Sequence, residues 1–172
     1  MARITNQHFT TGTGSSQPKG LVTAATTSSI TTASNTAITW SECIGLKHAV
    51  DPGYRIGAAW MCDDAIVLQM KKMLDQENRP LWIPDIAGGG VMRLDGDPII
   101  VNNDMATGTA SKELIYGQFS KYLVREVRGF TLLRLEERYA EQHSVAFLAF
   151  LRTDGDLLNA GTNPVKFLTA AT

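Results

Sequence analysis

The sequence predicts an α+β fold, with two helices after residue 34 and mainly strands after them. Two segments between residues 35 and 75 repeat their apolar residues at helical spacing. From about residue 91 onward, the apolar residues alternate or form short runs between turn-forming residues. A chain of 172 residues, 44% of them hydrophobic, can bury one compact core and part of a second domain.

The first part of the chain is poor in charge. Residues 10–36 are rich in Gly, Ser, Thr and Ala, and the run from 10 to 20 predicts a loop. The Thr, Ser and Ala residues that follow, up to position 36, indicate either more loop or an exposed β ribbon. A long irregular segment in a compact domain is often a surface that meets a partner, and we interpret this segment in that way.

The first predicted helix is capped by Asn35 or Thr36 and is ended by Asp51-Pro52-Gly53. Its apolar positions are Ile38, Trp40, Ile44 and Val50. A strand is predicted next, because apolar residues there alternate with smaller or polar ones. The alternating residues are Tyr54, Ile56, Ala58 and Trp60.

The second predicted helix begins at Asp63 and Asp64, where an N-cap and a first-turn acid are favourable. Its apolar positions are Ile66, Val67, Met70, Met73 and Leu74. It is expected to end near Asp75, because Arg79-Pro80 forbids its continuation. Trp60 and Trp82 lie on either side of it and are expected to pack against it as structural residues.

The remaining segments predict strands. Asp95-Gly96 is a strong hairpin signal between residues 91–94 and 99–101. Residues 145–151 form a continuous apolar run that indicates a buried strand, and Asp154-Gly155 indicates the turn after it. The other predicted strands are residues 114–116, 122–124, 130–135 and 165–168.

Composition limits the classes of partner and compartment. The formal net charge is -1 at pH 7, so we expect neither DNA packing through bulk charge nor sequence-specific nucleic-acid binding. Cys43 and Cys62 are too few for a disulfide framework and fit a reducing compartment. The amino terminus has no apolar signal region and no apolar run could span a bilayer, so we expect no membrane partner.

The glycines near residue 12 do not form a phosphate-binding motif. A P-loop needs two glycines in fixed spacing followed by Lys and Ser or Thr, but Lys19 precedes Gly20 and Leu21 follows it. A dinucleotide fingerprint that begins Gly12-Thr13-Gly14 would need a third glycine where Gln17 stands. A turn-rich connection is therefore the preferred interpretation.

No spacing of histidines or cysteines predicts a metal site or a nucleophile. His8, His48 and His143 lie far apart in the sequence and are interpreted as surface or partly buried polar residues. Cys43 and His48, five residues apart on one predicted helix, do not share a face well. We assign no catalytic residue, no cofactor-binding residue and no metal ligand, and we expect no cofactor and no enzymatic activity.

Two carboxylate pairs also have simpler interpretations than catalysis. Asp63 and Asp64 are explained by helix capping. Glu136 and Glu137, as neighbours on a predicted strand, would point to opposite faces and could not line one pocket. The mixed charges of residues 134–141 are interpreted as an ion-pair surface, which in an assembly would set the register between partners.

Five segments of the chain, in the same order, are similar to segments of the tailed-bacteriophage major capsid protein family. Residues 12–20, Gly-Thr-Gly-Ser-Ser-Gln-Pro-Lys-Gly, resemble the glycine loop that follows the family's long spine helix. Residues 94–105, which begin Leu-Asp-Gly-Asp-Pro, resemble its Leu-x-Gly-x-Pro hairpin. Residues 116–122 resemble its Phe-Gly-Asp-Phe-x-x-Tyr segment. The other two segments are residues 63–84 and 137–155, and together the matches span residues 2–170.

The resemblance implies the α+β fold of those capsid proteins. Residues 1–14 would be the end of the spine helix and its loop, residues 15–127 the axial domain, and residues 128–172 part of the peripheral domain. The family's amino-terminal arm, extended loop and most of its spine helix are absent, so we expect a truncated, prophage-derived copy or a fragment. Such a chain is expected to be a monomer or a small ring at micromolar concentration, not a closed shell.

The resemblance also implies a function in binding. The chain would be a structural subunit of an icosahedral head and would self-associate into five- and six-membered rings. Its partners would be copies of itself, full-length capsid subunits, and portal or scaffold proteins. It would be made in the bacterial host cytoplasm and located in the virion. Residues 87–90 and 102–111 would meet near the ring axis, and residues 134–138 would meet neighbouring capsomers.

Two alternatives remain open from the sequence. A bacterial nanocompartment shell protein of the encapsulin-like type shares the fold and would need a groove for its cargo enzyme. A small α+β hydrolase or transferase would need a pocket with convergent titratable groups, and the sequence shows no such constellation.

Overall fold

A six-stranded mixed sheet and a long two-stranded hairpin form the framework of the computed structural model. The structure describes residues 2–34, 37–75, 77–81, 92–159 and 161–172. Within these residues the strands are β1 (Thr26–Thr31), β2 (Ala59–Cys62), β3 (Arg93–Leu94), β4 (Asp97–Val101), β5 (Lys112–Gly117), β6 (Tyr122–Leu135), β7 (Ala146–Leu157) and β8 (Val165–Thr169). The helices are α1 (Ala2–Thr11), α2 (Leu21–Ala24), α3 (Trp40–Ala49) and α4 (Asp64–Lys71).

The large sheet has the order β1-β8-β5-β2-β4-β3, and β6 pairs with β7 in the separate hairpin. Strand β5 is central and antiparallel to both β2 and β8. The β1–β8 and β2–β4 pairs are parallel. The predicted hairpin around Asp95-Gly96 is confirmed, since β3 and β4 are antiparallel neighbours.

Helix α3 begins later than the sequence predicts. Its N-cap is Thr39, because the Thr39 side chain accepts a hydrogen bond from the Glu42 amide while Glu42 accepts one from the Thr39 amide. The predicted caps, Asn35 and Thr36, lie outside the described residues. The end of the helix agrees with the prediction, since Val50 leaves the helix and a 3₁₀ turn follows at Pro52–Tyr54.

Helix α4 is shorter than predicted. Asp63 caps it as expected, and its side chain accepts a hydrogen bond from the Ala65 amide at 2.8 Å. The helix ends at Lys71 instead of near Asp75. The Asp75 carboxylate accepts hydrogen bonds from the amides of Glu77 and Arg79 and thereby stabilises a turn in place of another helical turn.

Strand β2 is also shorter than predicted, since it begins only at Ala59. Tyr54 lies in the 3₁₀ turn and the Ile56 side chain is 80% exposed. Gly57 adopts a φ of 74°, outside the extended region, and therefore separates this segment from the strand. The alternation of apolar residues across positions 54–58 did not reflect a strand.

Two cores lie on opposite faces of the large sheet, because successive residues of β5 point to opposite sides. Leu114 and Tyr116 face α3 and α4 in one buried cluster. Ile115 faces α2 and the base of the hairpin in the other. In the first cluster the centroids of the Trp60 and Tyr116 rings lie 4.3 Å apart. The Trp60 indole N–H donates a hydrogen bond to the Leu94 carbonyl.

An ion network fixes the β3–β4 turn onto α3. The Lys47 ammonium lies 2.8 Å from a carboxylate oxygen of both Asp95 and Asp97, and the Tyr116 hydroxyl donates a hydrogen bond to Asp97. Burial alone would lower the pKa of Lys47, but its hydrogen bonds to the two carboxylates and their charges outweigh burial and raise that pKa. The network therefore keeps a charged lysine beside the core.

The hairpin joins segments that the sequence analysis separated. Residues 122–124 and 130–135 belong to the single strand β6, which carries a register shift between Val127 and Thr131. The predicted turn at Asp154-Gly155 is wrong, because Gly155 lies within β7 opposite Val124. The apolar run at 145–151 does form a strand, but it is not buried as predicted, since Phe147 and Phe150 are 64% and 50% exposed.

The chain returns to the large sheet after the hairpin. Strand β8 pairs with β5 and β1, although the sequence-based division placed residues 128–172 together in one unit. The hairpin is thus inserted between strands of one sheet. The prediction that Trp60 is buried is confirmed by an exposed fraction of 1%, whereas Trp82 and residues 87–90 lie outside the described residues.

Trp60→Ala is expected to lower the free energy of unfolding by about 3–5 kcal/mol, because it removes a fully buried ring and leaves a cavity beside Tyr116. Urea unfolding followed by circular dichroism measures the loss. The matched control is Ile56→Ala, whose exposed side chain should contribute less than about 0.5 kcal/mol. A loss below about 1 kcal/mol for Trp60→Ala would contradict its placement in the core.

Candidate functional site

The glycine loop, residues 12–20, is a tightly packed connection between α1 and α2. Thr13 and Lys19 form an antiparallel bridge across it, and the Gly20 amide donates a hydrogen bond to the Gly12 carbonyl at 2.9 Å. A Cβ atom on Gly12 would lie 2.3 Å from the carbonyl oxygens of His8 and Pro18. The glycines are therefore required for close backbone packing. The Gly12 amide already donates a hydrogen bond to the His8 carbonyl of α1, and the Gly20 amide donates one to the Gly12 carbonyl.

The same loop fixes the base of the hairpin. The Lys19 amide donates a hydrogen bond to the Gly155 carbonyl at 3.0 Å, and the Tyr122 hydroxyl donates one to the Lys19 carbonyl at 2.8 Å. Phe9 of α1 meets the Tyr122 ring edge to face. Burial, with the charges of Asp156 and Asp154, raises the pKa of Tyr122 to about 12, so the hydroxyl remains a donor at neutral pH.

The loop of residues 102–111 emerges from the end of β4 and is held by α1 and by the carboxyl end of the chain. The Asn102 side chain bonds to Thr10 of α1 at 2.8 Å, and Asn6 of α1 bonds to Asn102 and Asp104. The Ala110 amide donates a hydrogen bond to the Ala171 carbonyl at the carboxyl end of the chain. The loop is therefore ordered at its base, while residues 106 and 107 at its tip are exposed.

Glu113 supports this loop from inside. Its side chain is 1% exposed, and its carboxylate accepts a hydrogen bond from the Gly108 amide at 2.9 Å. Burial raises the pKa of Glu113, and the hydrogen bond from Gly108 opposes that rise. The sequence analysis missed this residue, because an acidic residue in a strand gives no sign of whether tertiary packing will bury it.

The outer half of the hairpin presents large apolar side chains to solvent. Five of them are Phe130, Leu132, Leu133, Phe147 and Phe150, with exposed fractions of 47–64%. They occupy odd and even positions along the strands, so both faces of the two-stranded ribbon carry them. The sequence did indicate that both faces of these strands are apolar, since apolar and polar residues do not alternate there. We interpreted this pattern as burial, whereas the side chains are exposed.

A charged turn lies at the tip of the hairpin. Glu136 and Glu137 were predicted to lie on a strand, but they follow the end of β6 and lie in the turn. Arg134 lies 3.0 Å from Glu136, and both side chains are more than 60% exposed. An exposed ion pair contributes only about 0–1 kcal/mol to stability. This pair therefore adds little to the stability of the chain.

Of the residues considered for chemistry, Cys43 and Cys62 lie in one buried cluster. Within the described ranges, no group of three or more His, Cys, Asp or Glu side chains could hold a metal ion. Burial raises the pKa of both Cys43 and Cys62 to about 12, so both thiols stay protonated. His48 lies beside Arg55. The predicted absence of catalytic and cofactor-binding residues stays a prediction. None of the helices in the described part of the chain could cross a membrane.

Glu113→Gln should change the pH dependence of stability. Because the pKa of Glu113 is raised in the folded state, folding is favoured when the group is protonated, and stability is lost as pH rises from the unfolded pKa towards the folded one. The glutamine oxygen can still accept the Gly108 hydrogen bond and never becomes charged. The stability of Glu113→Gln relative to the natural chain should therefore increase with pH across this window and then become constant.

Urea unfolding between pH 4 and pH 8 measures this difference. Glu137→Gln, which alters an exposed carboxylate of the hairpin tip, is the matched control and should follow the natural chain. If the free energies of unfolding of Glu113→Gln and of the natural chain change in parallel with pH, the charge on Glu113 does not destabilise the folded state.

Comparisons with known proteins show what this architecture is similar to. The family model for the phage capsid family matches residues 1–170. A chain of the solved structure described as "Capsid of empty GTA particle computed with C5 symmetry" superposes with a TM-score of 0.84 at 23% identity, over 99% of this chain and 62% of that chain. The corresponding chain of the native GTA particle superposes with a TM-score of 0.85, also at 23% identity and with the same coverage.

A chain of Mycobacterium phage Cain superposes with a TM-score of 0.68 at 16% identity, over 96% of this chain and 60% of that chain. This chain therefore spans about three fifths of the length of the solved chains it matches. No curated protein matches it significantly. The α+β architecture is that of phage capsid proteins, and the match over residues 1–170 shows that the chain belongs to the phage capsid family.

Proposed function

We propose that this chain is a structural subunit of an icosahedral phage or prophage head and that it associates with copies of itself in rings of five and six. The observation that carries the proposal is the uncovered outer half of the hairpin. A soluble monomer rarely exposes a large contiguous apolar surface, and an isolated two-stranded ribbon is only marginally stable in water. Membership of the capsid family supports the proposal that other capsid subunits cover that surface.

The parts of the fold suggest how the subunit is used. The six-stranded sheet with α3 and α4 corresponds to the axial domain, and it includes β8. The β6–β7 hairpin corresponds to part of the peripheral domain, and α1 to the end of the spine helix. The exposed tip of the 102–111 loop is proposed to meet its copies near the ring axis, and the charged residues 134–138 to meet neighbouring capsomers.

The proposed partners are copies of this chain, full-length capsid subunits, and portal or scaffold proteins of the same head. The proposed location is the virion, after synthesis in the bacterial host. The alternative of a nanocompartment shell protein is less well supported, because the matching family model describes phage capsids. No group of His, Cys, Asp or Glu side chains in the described residues could hold a metal ion, so no observation there favours a small metal-dependent enzyme.

A charge at the loop tip tests the ring arrangement. Thr107→Glu should reduce the population of five- and six-membered rings, because every copy would bring a negative charge to the same axis. Ser41→Glu, at an exposed position on α3, is the control and should leave rings unchanged. Native mass spectrometry and sedimentation velocity over a wide range of concentrations measure the ring population. Rings that resist Thr107→Glu would contradict the placement of this loop. The absence of any oligomer up to about 1 mM, far above the micromolar range in which the chain can be a monomer, would contradict the proposed function.

A further inference from the structure

The tip of the 102–111 loop lies between two fixed residues. Residues 106 and 107 are exposed, whereas Met105 before them is 4% exposed and packs in the core that contains Ile115. After them, the Gly108 amide donates a hydrogen bond to the carboxylate of Glu113 at 2.9 Å. The tip is therefore held by an apolar contact on one side and by a polar contact on the other.

The backbone after the tip adopts unusual conformations. Gly108 has a φ of 107° and Ala110 a φ of 56°, values that residues with a side chain rarely adopt. The Ser111 amide closes this turn by donating a hydrogen bond to the Gly108 carbonyl at 3.1 Å. Such a turn keeps one conformation only where the surrounding structure holds it, and Glu113 supplies a contact of this kind from the core side.

Glu113 is enclosed within the fold, with an exposed fraction of 1%. The Ser111 hydroxyl lies within hydrogen-bonding reach of both the Glu113 carboxylate and the Gly108 carbonyl. A hydroxyl has one hydrogen and can donate to one of these acceptors at a time. The Gly108 amide is therefore the constant donor to the carboxylate.

The stability of the chain does not account for a carboxylate at this position. Burial raises the pKa of Glu113, and the hydrogen bonds from Gly108 and Ser111 oppose that rise. None of the ion pairs within the described residues includes Glu113, so no such pair offsets the cost of its charge. An apolar side chain of similar size would avoid that cost, but it would lack an acceptor for the Gly108 amide.

We infer that Glu113 is a positioning residue for the ring contact. Its carboxylate holds Gly108 and thereby presents the loop tip in the conformation in which copies of this chain meet. The inference rests on the proposed function and names the group that prepares its contact surface. A loop that is ordered before association loses less entropy when it binds. In a ring this advantage is repeated in every copy, so the loss of one hydrogen bond per subunit weakens every contact around the axis.

Two substitutions of similar size separate the hydrogen bond from the charge. Glu113→Gln removes the charge and keeps an oxygen that can accept from the Gly108 amide. Glu113→Met also removes the charge, but its thioether is only a weak acceptor. Both side chains fill the buried site, so neither leaves a large cavity. The difference between the two variants therefore reports the hydrogen bond to Gly108.

Native mass spectrometry and sedimentation velocity up to about 1 mM measure the rings. Glu113→Met should weaken ring association by about tenfold or more, whereas Glu113→Gln should stay within about twofold of the natural chain. The urea midpoints of the two variants should be similar, because both replace a buried charge. Retention of rings by glutamine, at equal stability, is not expected of a residue that serves only the core.

Solvent exchange in the monomer tests the contact without any ring. At low concentration, the Gly108 amide of Glu113→Met should exchange about tenfold faster or more than that of Glu113→Gln, as measured by NMR. The Lys19 amide, which donates a hydrogen bond to the Gly155 carbonyl, should exchange equally in both variants. Equal exchange at Gly108 would contradict the inference, because Glu113 would then not hold the loop.

A further substitution changes the loop without altering the core. A Cβ on Gly108 would meet nothing within 4 Å, but the φ of 107° strains any residue other than glycine. Gly108→Ala should therefore weaken ring association by about fivefold or more. Gly161→Ala is the matched control, because Gly161 has a φ of 93° and equally open surroundings, and it lies outside the 102–111 loop. Rings that respond equally to both alanines would contradict the inference.

Failure of this inference can be distinguished from failure of the proposed function. If the natural chain forms rings and Glu113→Met forms them as well as Glu113→Gln does, the inference is refuted and the proposed function stands. Equal loss of rings in both variants would also refute it, since glutamine keeps the acceptor. If the natural chain forms no oligomer up to about 1 mM, the proposed function is refuted and the inference with it.

Discussion

The close contact of Tyr122 with Gly155 is the constraint on which the relation between body and hairpin depends. A Cβ at position 155 would lie 2.5 Å from the Tyr122 hydroxyl and 3.1 Å from the Phe9 ring. Only glycine lets the tyrosine reach the Lys19 carbonyl while Phe9 of α1 packs on its ring. Helix, glycine loop and hairpin thus meet at one buried point, and the direction in which the hairpin leaves the body is set there.

The chain distributes its stability unequally around this point. The body buries Trp60, Tyr116 and the apolar faces of α3 and α4 in a continuous cluster, which is where burial contributes most to folding. The outer hairpin retains strand hydrogen bonds but exposes most of its large side chains. This inequality fits the proposed function, in which a neighbouring subunit covers the outer hairpin, because surface reserved for a partner cannot also stabilise the monomer.

Local rules of sequence were sufficient for much of the fold. The Asp63 cap, the stop at Asp51-Pro52-Gly53 and the Asp95-Gly96 turn depend on interactions within a few residues, and each was predicted correctly. The cap of α3 was misplaced because several polar residues precede that helix, and only Thr39 has a glutamate three residues later that returns its hydrogen bond. The resemblance to capsid proteins depended on the order of five short segments that contain such turns and caps. Because local sequence determines these segments, the family was identifiable from the sequence.

The sequence by itself determined where turns and caps lie, which residues are apolar, and to which family the chain belongs. Only the tertiary structure decided which apolar residues are buried. The run at 145–151 has the composition of a core strand, yet it is exposed because β7 pairs only with β6 in a ribbon of two strands. The Asp154-Gly155 pair has the composition of a turn, yet Gly155 lies in β7 opposite Val124 and beside the Tyr122 hydroxyl. Burial depends on what the rest of the chain places beside a residue, and local composition does not contain that information.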